Sequence, residues 1–152
     1  MMRRRTFCIA VAMTCVFNAV VWGAGHKTCT ATYLGGTVGL FSGTPGTLST
    51  AAQDLLLFTP MSRPLTLRIS YKAITAMEYG PGAGQRVPIA IVVSRKHGQY
   101  LTVNWMDDSG REQATVFELG RDAAGSTLAS LEGKAGKPIQ YQTREARRAG
   151  SR

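Results

Sequence analysis

Few residues of this chain carry side chains that could bind a metal or perform acid–base chemistry. The sequence has 152 residues, with two histidines and three cysteines. His26 and Cys29 lie in the segment HKTC, at a spacing that lets two side chains reach one metal ion. If proteolysis made His26 the amino terminus, its amine and imidazole could bind copper together. Because a stable site generally needs three or four ligands, this pair alone predicts no metal centre, and copper binding is the least favoured alternative.

The remaining candidate groups fit turns better than a catalytic centre. His97 lies in the reversal RKHG, where no acidic partner is near in sequence. Asp107, Asp108 and Glu112 belong to DDSGRE, which lacks the alternating oxygen ligands of a calcium loop. No serine lies in a G-x-S-x-G elbow, and no glycine-rich stretch carries the Lys-Ser/Thr pair of a phosphate loop. The sequence therefore predicts a non-enzymatic protein without a cofactor.

The first 25 residues have the pattern of a secretory signal peptide. Arg3–Arg5 precede an apolar run from residue 6 to residue 22, and the small residues GAG follow. Cleavage would start the mature chain at Ala24 or His26, in the periplasm or outside the cell. The alternative is that residues 6–22 form a membrane anchor, because the run approaches the ~20 residues that span a bilayer.

The chain is basic, with a formal net charge of +9 that falls to +6 when the three arginines of the signal leave. Part of the excess lies in REARRAGSR, which contains Arg144, Arg147 and Arg148. One interpretation is attachment to anionic lipid or an envelope polymer. The favoured one is a disordered basic tail over residues 142–152, since no aromatic residues are interleaved for nucleic-acid stacking.

Between these ends, residues 26–141 have the rhythm of an antiparallel β domain, in which short β-prone runs alternate with Gly, Pro and Asp. Val87–Val93, Tyr100–Met106 and Gln113–Leu119 are predicted to form three strands of a meander. The turns KHG and DDSG join them, because Gly can take positive φ and Asp and Ser can bond the local backbone.

The stretch YKAITAMEYGPGAG, Tyr71–Gly84, is predicted to be a strand that ends in a turn. At helical spacing its residues form no apolar stripe, whereas at strand spacing Thr75, Met77 and Tyr79 share one side. The preceding run LTLRI, residues 65–69, also alternates, with its leucines and isoleucine inward. A bend is expected where the two runs meet.

One helix is predicted near residues 122–135, capped by Asp122 and closed by Gly136. Strands followed by one helix, together with LTLRISYKAITAMEYG and GREQATVFELGRDAAGSTLASLEGKAGKPIQY, resemble bacterial PH-like domains of the pleckstrin-homology superfold. The resemblance implies a mainly β fold, a bent antiparallel barrel or sandwich of about seven strands with one C-terminal helix. Phosphoinositide-binding members hold the head group with basic residues in the first strand-loop-strand unit, and TYLGGTVGLFSGTPGTLS contains none.

These observations predict an exported module that binds another protein or an envelope component, at an exposed strand edge or through the basic tail. Trp105 and Tyr79 are candidate anchors for a partner, because aromatic residues are enriched at binding hot spots. Burial of Trp105 in the core is the favoured interpretation. A closed pocket that buried Glu78 or Glu118 would instead favour an enzyme.

Overall fold

The computed structural model describes residues 28–83, 98–121 and 123–150, which form one sheet and two helices. The strands are β1 (Thr28–Gly36), β2 (Thr44–Ser49), β3 (Leu55–Pro60), β4 (Leu67–Ser70), β5 (Ile74–Gly80), β6 (Tyr100–Met106), β7 (Glu112–Leu119) and β8 (Gln140–Tyr141). The helices are α1 (Ala124–Ala135) and α2 (Arg144–Gly150). The prediction of a mainly β fold with a helix after the strands is confirmed.

The eight strands lie in the order β4-β3-β2-β1-β7-β6-β5-β8. Neighbouring strands are antiparallel except β5 and β8, which run parallel. β6 and β7 confirm the second hairpin of the predicted meander, but the other neighbour of β6 is β5, so the predicted pairing of β6 with Val87–Val93, a run that lies outside the described residues, is wrong. The predicted signal segment also lies outside them.

The sheet bends around one large core, which contains apolar residues from every strand between β1 and β7. Tyr33, Phe58 and Phe117 form an aromatic group whose ring centroids are 5.0 to 6.3 Å apart. Ile69 on β4 and Met77 on β5 belong to the same cluster, although their strands lie near opposite ends of the sheet order. Only Tyr71–Ala73 separate β4 from β5 along the chain, and so short a connection cannot cross a flat sheet from one of these strands to the other, so the sheet must be strongly curved.

The region from Tyr71 confirms the predicted bend and strand and adds a β-bulge. Tyr71–Ala73 form a short 3-10 turn, which leads directly into β5. Ile74 and Ala76 pair with successive residues of β6, so Thr75 is the extra residue of a bulge. The bulge turns Ile74 to the same side as Met77, and both are buried while Thr75 is exposed.

Helix α1 confirms the helix predicted near residues 122–135, although its predicted cap, Asp122, lies outside the described residues. Leu128 and Leu131 are completely buried against the sheet. The helix ends at Gly136, whose φ of 63° is the left-handed conformation that favours glycine. Near that end, the Lys134 ammonium donates hydrogen bonds to two carbonyl oxygens of the β2–β3 loop, at 2.5 and 2.7 Å.

The structure differs from the sequence prediction in two features of the overall shape. The eight described strands form one open, mixed sheet whose edges are β4 and β8, so of the predicted barrel or sandwich the barrel does not describe them. Residues 144–150 form α2, where the sequence predicted a disordered tail. The Thr143 hydroxyl accepts a hydrogen bond from the Ala146 N–H at 3.0 Å and so caps this helix. Ala146 and Gly150 are buried, which ties α2 to the domain.

Candidate functional site

The outer side of β4 is an unpaired edge of the sheet, because no described strand lies beyond it. Its hydrogen-bonding pattern follows from the contact just past its end. Tyr71 and Asp54 continue the register of β4 and β3, and the Tyr71 N–H donates to the Asp54 carbonyl at 3.0 Å. Hydrogen-bonded pairs alternate along an antiparallel ladder, so Leu67 and Ile69 are the β4 residues that bond to β3.

Because of this alternation, the backbone hydrogen-bonding groups of Arg68 and Ser70 in the strand plane point away from β3, toward the open edge. Arg68 presents its N–H and carbonyl at the open edge, and Ser70 presents its N–H. The other side of β3 agrees with this assignment, because Met61 continues the β3–β2 register and donates its N–H to the Pro45 carbonyl at 3.0 Å. In β3, odd-numbered residues therefore bond to β2 and even-numbered residues to β4, as one strand between two neighbours requires.

Basic residues lie on β4 and next to it in the chain. Arg63, Arg68 and Lys72 are all exposed, and they lie before, on and after β4. From Leu55 to Met77 the sequence contains no aspartate or glutamate. Within the part of the chain that the structure describes, no carboxylate forms an ion pair with any of these three cations. The edge therefore has three cations that remain available to an acidic partner.

Exposed apolar side chains lie beside this edge, on the β1–β2 and β3–β4 loops. Phe41, Met61 and Leu65, which we call the loop patch, are 69, 77 and 55 % exposed. The Arg63 guanidinium lies 4.8 Å from the centre of the Phe41 ring, so the two loops are in contact. Leu65 was predicted to face inward, and it is exposed because β4 begins only at Leu67. Large apolar side chains grouped in this way commonly mark an interaction surface.

Trp105 and Tyr79, the predicted partner anchors, are not on the surface. Trp105 is 7 % exposed and Tyr79 2 % exposed, and both belong to the main core. They lie on the inner side of β6 and β5, which the bent sheet and α1 cover. The Tyr79 ring packs edge-on against Tyr141, with centroids 6.2 Å apart. The outward orientation that a partner contact through these residues requires is therefore not present, and the favoured interpretation, burial of Trp105, is confirmed.

Arg144, Arg147 and Arg148, the predicted basic candidates, lie together on α2. All three side chains are exposed, and their spacing of three and four residues places them on one side of the helix. Glu145 in the first turn is also exposed. The structure thus brings the three arginines together on a fixed helical surface that follows β8, the edge strand at the other end of the strand order from β4.

Cys29, the described member of the proposed metal pair, is buried in the core with a free thiol. Burial raises the pKa of this thiol, and the neighbouring Thr127 side chain acts in the opposite direction to a smaller extent. His26 and His97 lie outside the described residues. Among the residues that the structure does describe, no three His, Cys, Asp or Glu side chains are grouped so that they could hold a metal ion.

The acidic turn between β6 and β7 has a structural role. Both oxygens of the Asp107 carboxylate accept hydrogen bonds, from Ser109, Arg111 and Gln113, at 2.6 to 3.2 Å. These hydrogen bonds, that of the Ser109 hydroxyl foremost, hold the pKa of Asp107 well below its ordinary value. The interpretation of DDSGRE as a turn is confirmed, because its principal carboxylate is already engaged by the chain.

Glu78 and Glu118 are half-buried, not enclosed. The Glu78 carboxylate lies 3.4 Å from the side-chain amide of Gln142. Glu118 lines a cleft of about 410 Å³ together with Arg121 and Glu145. The described lining of this cleft contains no histidine, cysteine, serine or lysine.

Comparison with known proteins found no matching family model and no similar curated protein. Across residues 28–83, 98–121 and 123–150, the structure contains no helix with the length and apolarity needed to cross a membrane.

Sequence reasoning expected an exposed strand edge but did not identify it or its three cations. The available signal was the absence of acidic residues between Leu55 and Met77, around the alternating run LTLRI. The absence of acidic residues shows that this stretch carries only positive charge, but it does not indicate which strand lies at the end of the sheet.

Proposed function

We propose that this chain is an exported, non-enzymatic binding module with a PH-like fold, which holds a segment of another protein at the outer edge of β4. The observation that carries the proposal is the pair of residues Arg68 and Ser70, whose backbone N–H groups face outward with no described strand to receive them. An extended peptide can complete such a ladder and add one strand to the sheet.

The fold and the amino terminus support the two remaining parts of the proposal. A curved antiparallel sheet that is followed by a helix packed on its core agrees with the PH-like resemblance carried by LTLRISYKAITAMEYG. The apolar run that follows Arg3–Arg5 supports export by a signal peptide. A partner would then be an envelope or extracellular protein.

The loop patch supports a protein as the partner. An added strand gains main-chain hydrogen bonds from the edge, but specificity and further affinity come from side-chain contacts. Phe41, Met61 and Leu65 offer apolar contact area next to the start of β4. Edges are usually covered or protected in native proteins, so an edge beside exposed apolar residues is a favourable docking position.

A photo-crosslinking experiment tests this proposal in the cells that make the protein. A photoreactive residue replaces Thr66, which is half-exposed and precedes Arg68 by two positions on the same edge. We expect a discrete adduct with another protein, which disappears in Ser70→Pro and persists in Ser70→Ala. The absence of any adduct, or an adduct that Ser70→Pro leaves unchanged, would overturn the proposal.

A second candidate function is attachment to an anionic surface through α2. The observation that favours it is the exposed group Arg144, Arg147 and Arg148 on one side of a capped helix. The test is sedimentation with vesicles that contain an anionic lipid, at low and high salt. Electrostatic attachment should weaken steeply with ionic strength and fall in a triple Arg→Gln variant, whereas Ser70→Pro at the β4 edge should leave it unchanged.

A further inference from the structure

We infer that the β4 edge selects a partner segment in which acidic residues alternate with apolar residues. This inference rests on the proposed function and adds the chemistry of the ligand. Two features carry it: the side of the sheet to which each β4 side chain points, and the one-sided charge of the chain around β4.

The outward-facing backbone of Arg68 determines which partner position lies opposite to it. A strand added to this edge in antiparallel orientation would exchange both hydrogen bonds with Arg68, so one partner residue lies directly across from it. Directly opposed residues point to the same side of a sheet. The Arg68 side chain is exposed on the outer side, and a glutamate or aspartate at the opposed position would meet the guanidinium.

The neighbouring positions of the partner strand would point to the inner side. One of them would meet Leu67, which packs against the core while half-exposed, and the other would lie at the rim of the core beside Ile69, whose side chain is already buried. A polar partner residue at these positions would lose hydration without gaining a hydrogen bond, so an apolar residue is favoured. The period of two along a strand then gives the alternation of acidic and apolar residues.

The cations also disfavour a second copy of this chain as the occupant. Pairing of two β4 edges would bring Arg63, Arg68 and Lys72 of each copy close to the same cations of the other. The stretch from Leu55 to Met77 contains no carboxylate to compensate. The same three cations attract an acidic segment and repel a second copy of this chain, so they favour the first occupant of the edge over the second.

The test measures binding of a short fluorescein-labelled peptide of alternating glutamate and valine to the purified chain by anisotropy. Control peptides carry lysine in place of glutamate, or a methyl group on the backbone nitrogen of the central glutamate. Arg68→Glu should weaken binding of the glutamate peptide roughly tenfold, because it replaces an attractive cross-strand pair by a repulsive one. Arg144→Glu, with the same change in charge on α2, is the matched control and should have a much smaller effect.

The outcomes separate the inference from the proposed function. Weakening by Arg68→Glu, recovery of binding by that variant with the lysine peptide, and loss of binding on N-methylation would support both. Equal binding of the glutamate and lysine peptides, with sensitivity to N-methylation, would overturn the inference and leave edge pairing intact. Charge-dependent binding that ignores N-methylation would overturn strand pairing at the edge, and with it the proposed function, whereas binding of neither peptide would overturn the ligand chemistry inferred here. Dimerisation on a sizing column that Ser70→Pro abolishes would assign the edge to a second copy and overturn the inference.

Discussion

Substitution of Ser70 by proline tests the hydrogen-bonding assignment on which the account of β4 depends. Ser70 has φ of −67° and ψ of 131°, and proline fixes φ near −65°. The preceding residue, Ile69, lies in a strand, which is the conformation that a following proline prefers. The Ser70 side chain makes no capping hydrogen bond to the 3-10 turn that follows it. Proline therefore fits this position without a change in the backbone.

The expected change in the free energy of unfolding is small and favourable. Since the Ser70 N–H faces outward, proline removes no bond of the β3–β4 ladder. Restriction of the unfolded chain should then stabilise Ser70→Pro by about 0.4–1 kcal/mol. Met61→Pro is the contrasting variant, because the Met61 N–H donates to the Pro45 carbonyl while its side chain is exposed. Loss of that bond should cost about 1–3 kcal/mol.

Urea unfolding gives the required free energies, with the fluorescence of the buried Trp105 as the signal. Ser70→Ala and Met61→Ala serve as controls for the loss of each side chain. The reasoning predicts that Ser70→Pro is at least as stable as Ser70→Ala, and that Met61→Pro is clearly less stable than Met61→Ala. If Ser70→Pro loses as much stability as Met61→Pro, then the Ser70 N–H is bonded in the native protein and the assigned pattern is refuted.

Three further predictions concern the core, a turn and the buried thiol. Leu128→Ala should lower the free energy of unfolding by about 3 kcal/mol in the same urea titration, because Leu128 is completely buried. The control Ala129→Ser, on the exposed side of α1, should change that free energy little. Asp107 has a native pKa below its ordinary value of 3.8, so its stabilising contribution is present above that value and is lost as the pH falls further. Thermal melts should therefore show a weaker acid dependence below about pH 4 in Asp107→Asn than in the parent chain, and identical acid dependence would contradict this role. Cys29 is buried, and burial raises the pKa of its thiol. An aromatic disulfide reagent at mildly alkaline pH should therefore label Cys29 slowly in the native protein and rapidly in urea, as measured by peptide mass. Rapid labelling of the native protein would place Cys29 at the surface.

Local chemistry explains which elements could be predicted from the sequence. The β6–β7 turn follows from Asp107 and Ser109, whose side chains bond backbone within a few residues. Helix α1 follows from the periodic spacing of Leu128 and Leu131. In each case the signal and the structure it determines lie within one short segment, so no knowledge of distant contacts is needed.

The edge position of β4 and the burial of the aromatic candidates depend on long-range pairing. Alternation in LTLRI indicates a strand, but the strand order places β4 at the end of the sheet. Similarly, Trp105 and Tyr100 are an odd number of residues apart on β6, so their side chains lie on opposite faces of the sheet. The sequence suggests that only one face is covered, but both side chains are buried, in two separate clusters. The arginines of REARRAGSR are typical of a solvated tail, so the sequence alone does not predict α2. The helix depends on the cap from Thr143 and on the burial of Ala146 against the domain.

Amide hydrogen exchange along β4, read residue by residue by NMR, tests the central claim most directly. The account predicts a slow Ile69 N–H, bonded to β3, between fast N–H groups at Arg68 and Ser70 in the dilute protein. Addition of a bound strand should slow Arg68 and Ser70 and leave Ile69 unchanged. Protection of Arg68 and Ser70 equal to that of Ile69 in the dilute, unliganded protein would contradict the account, because the edge would already be paired.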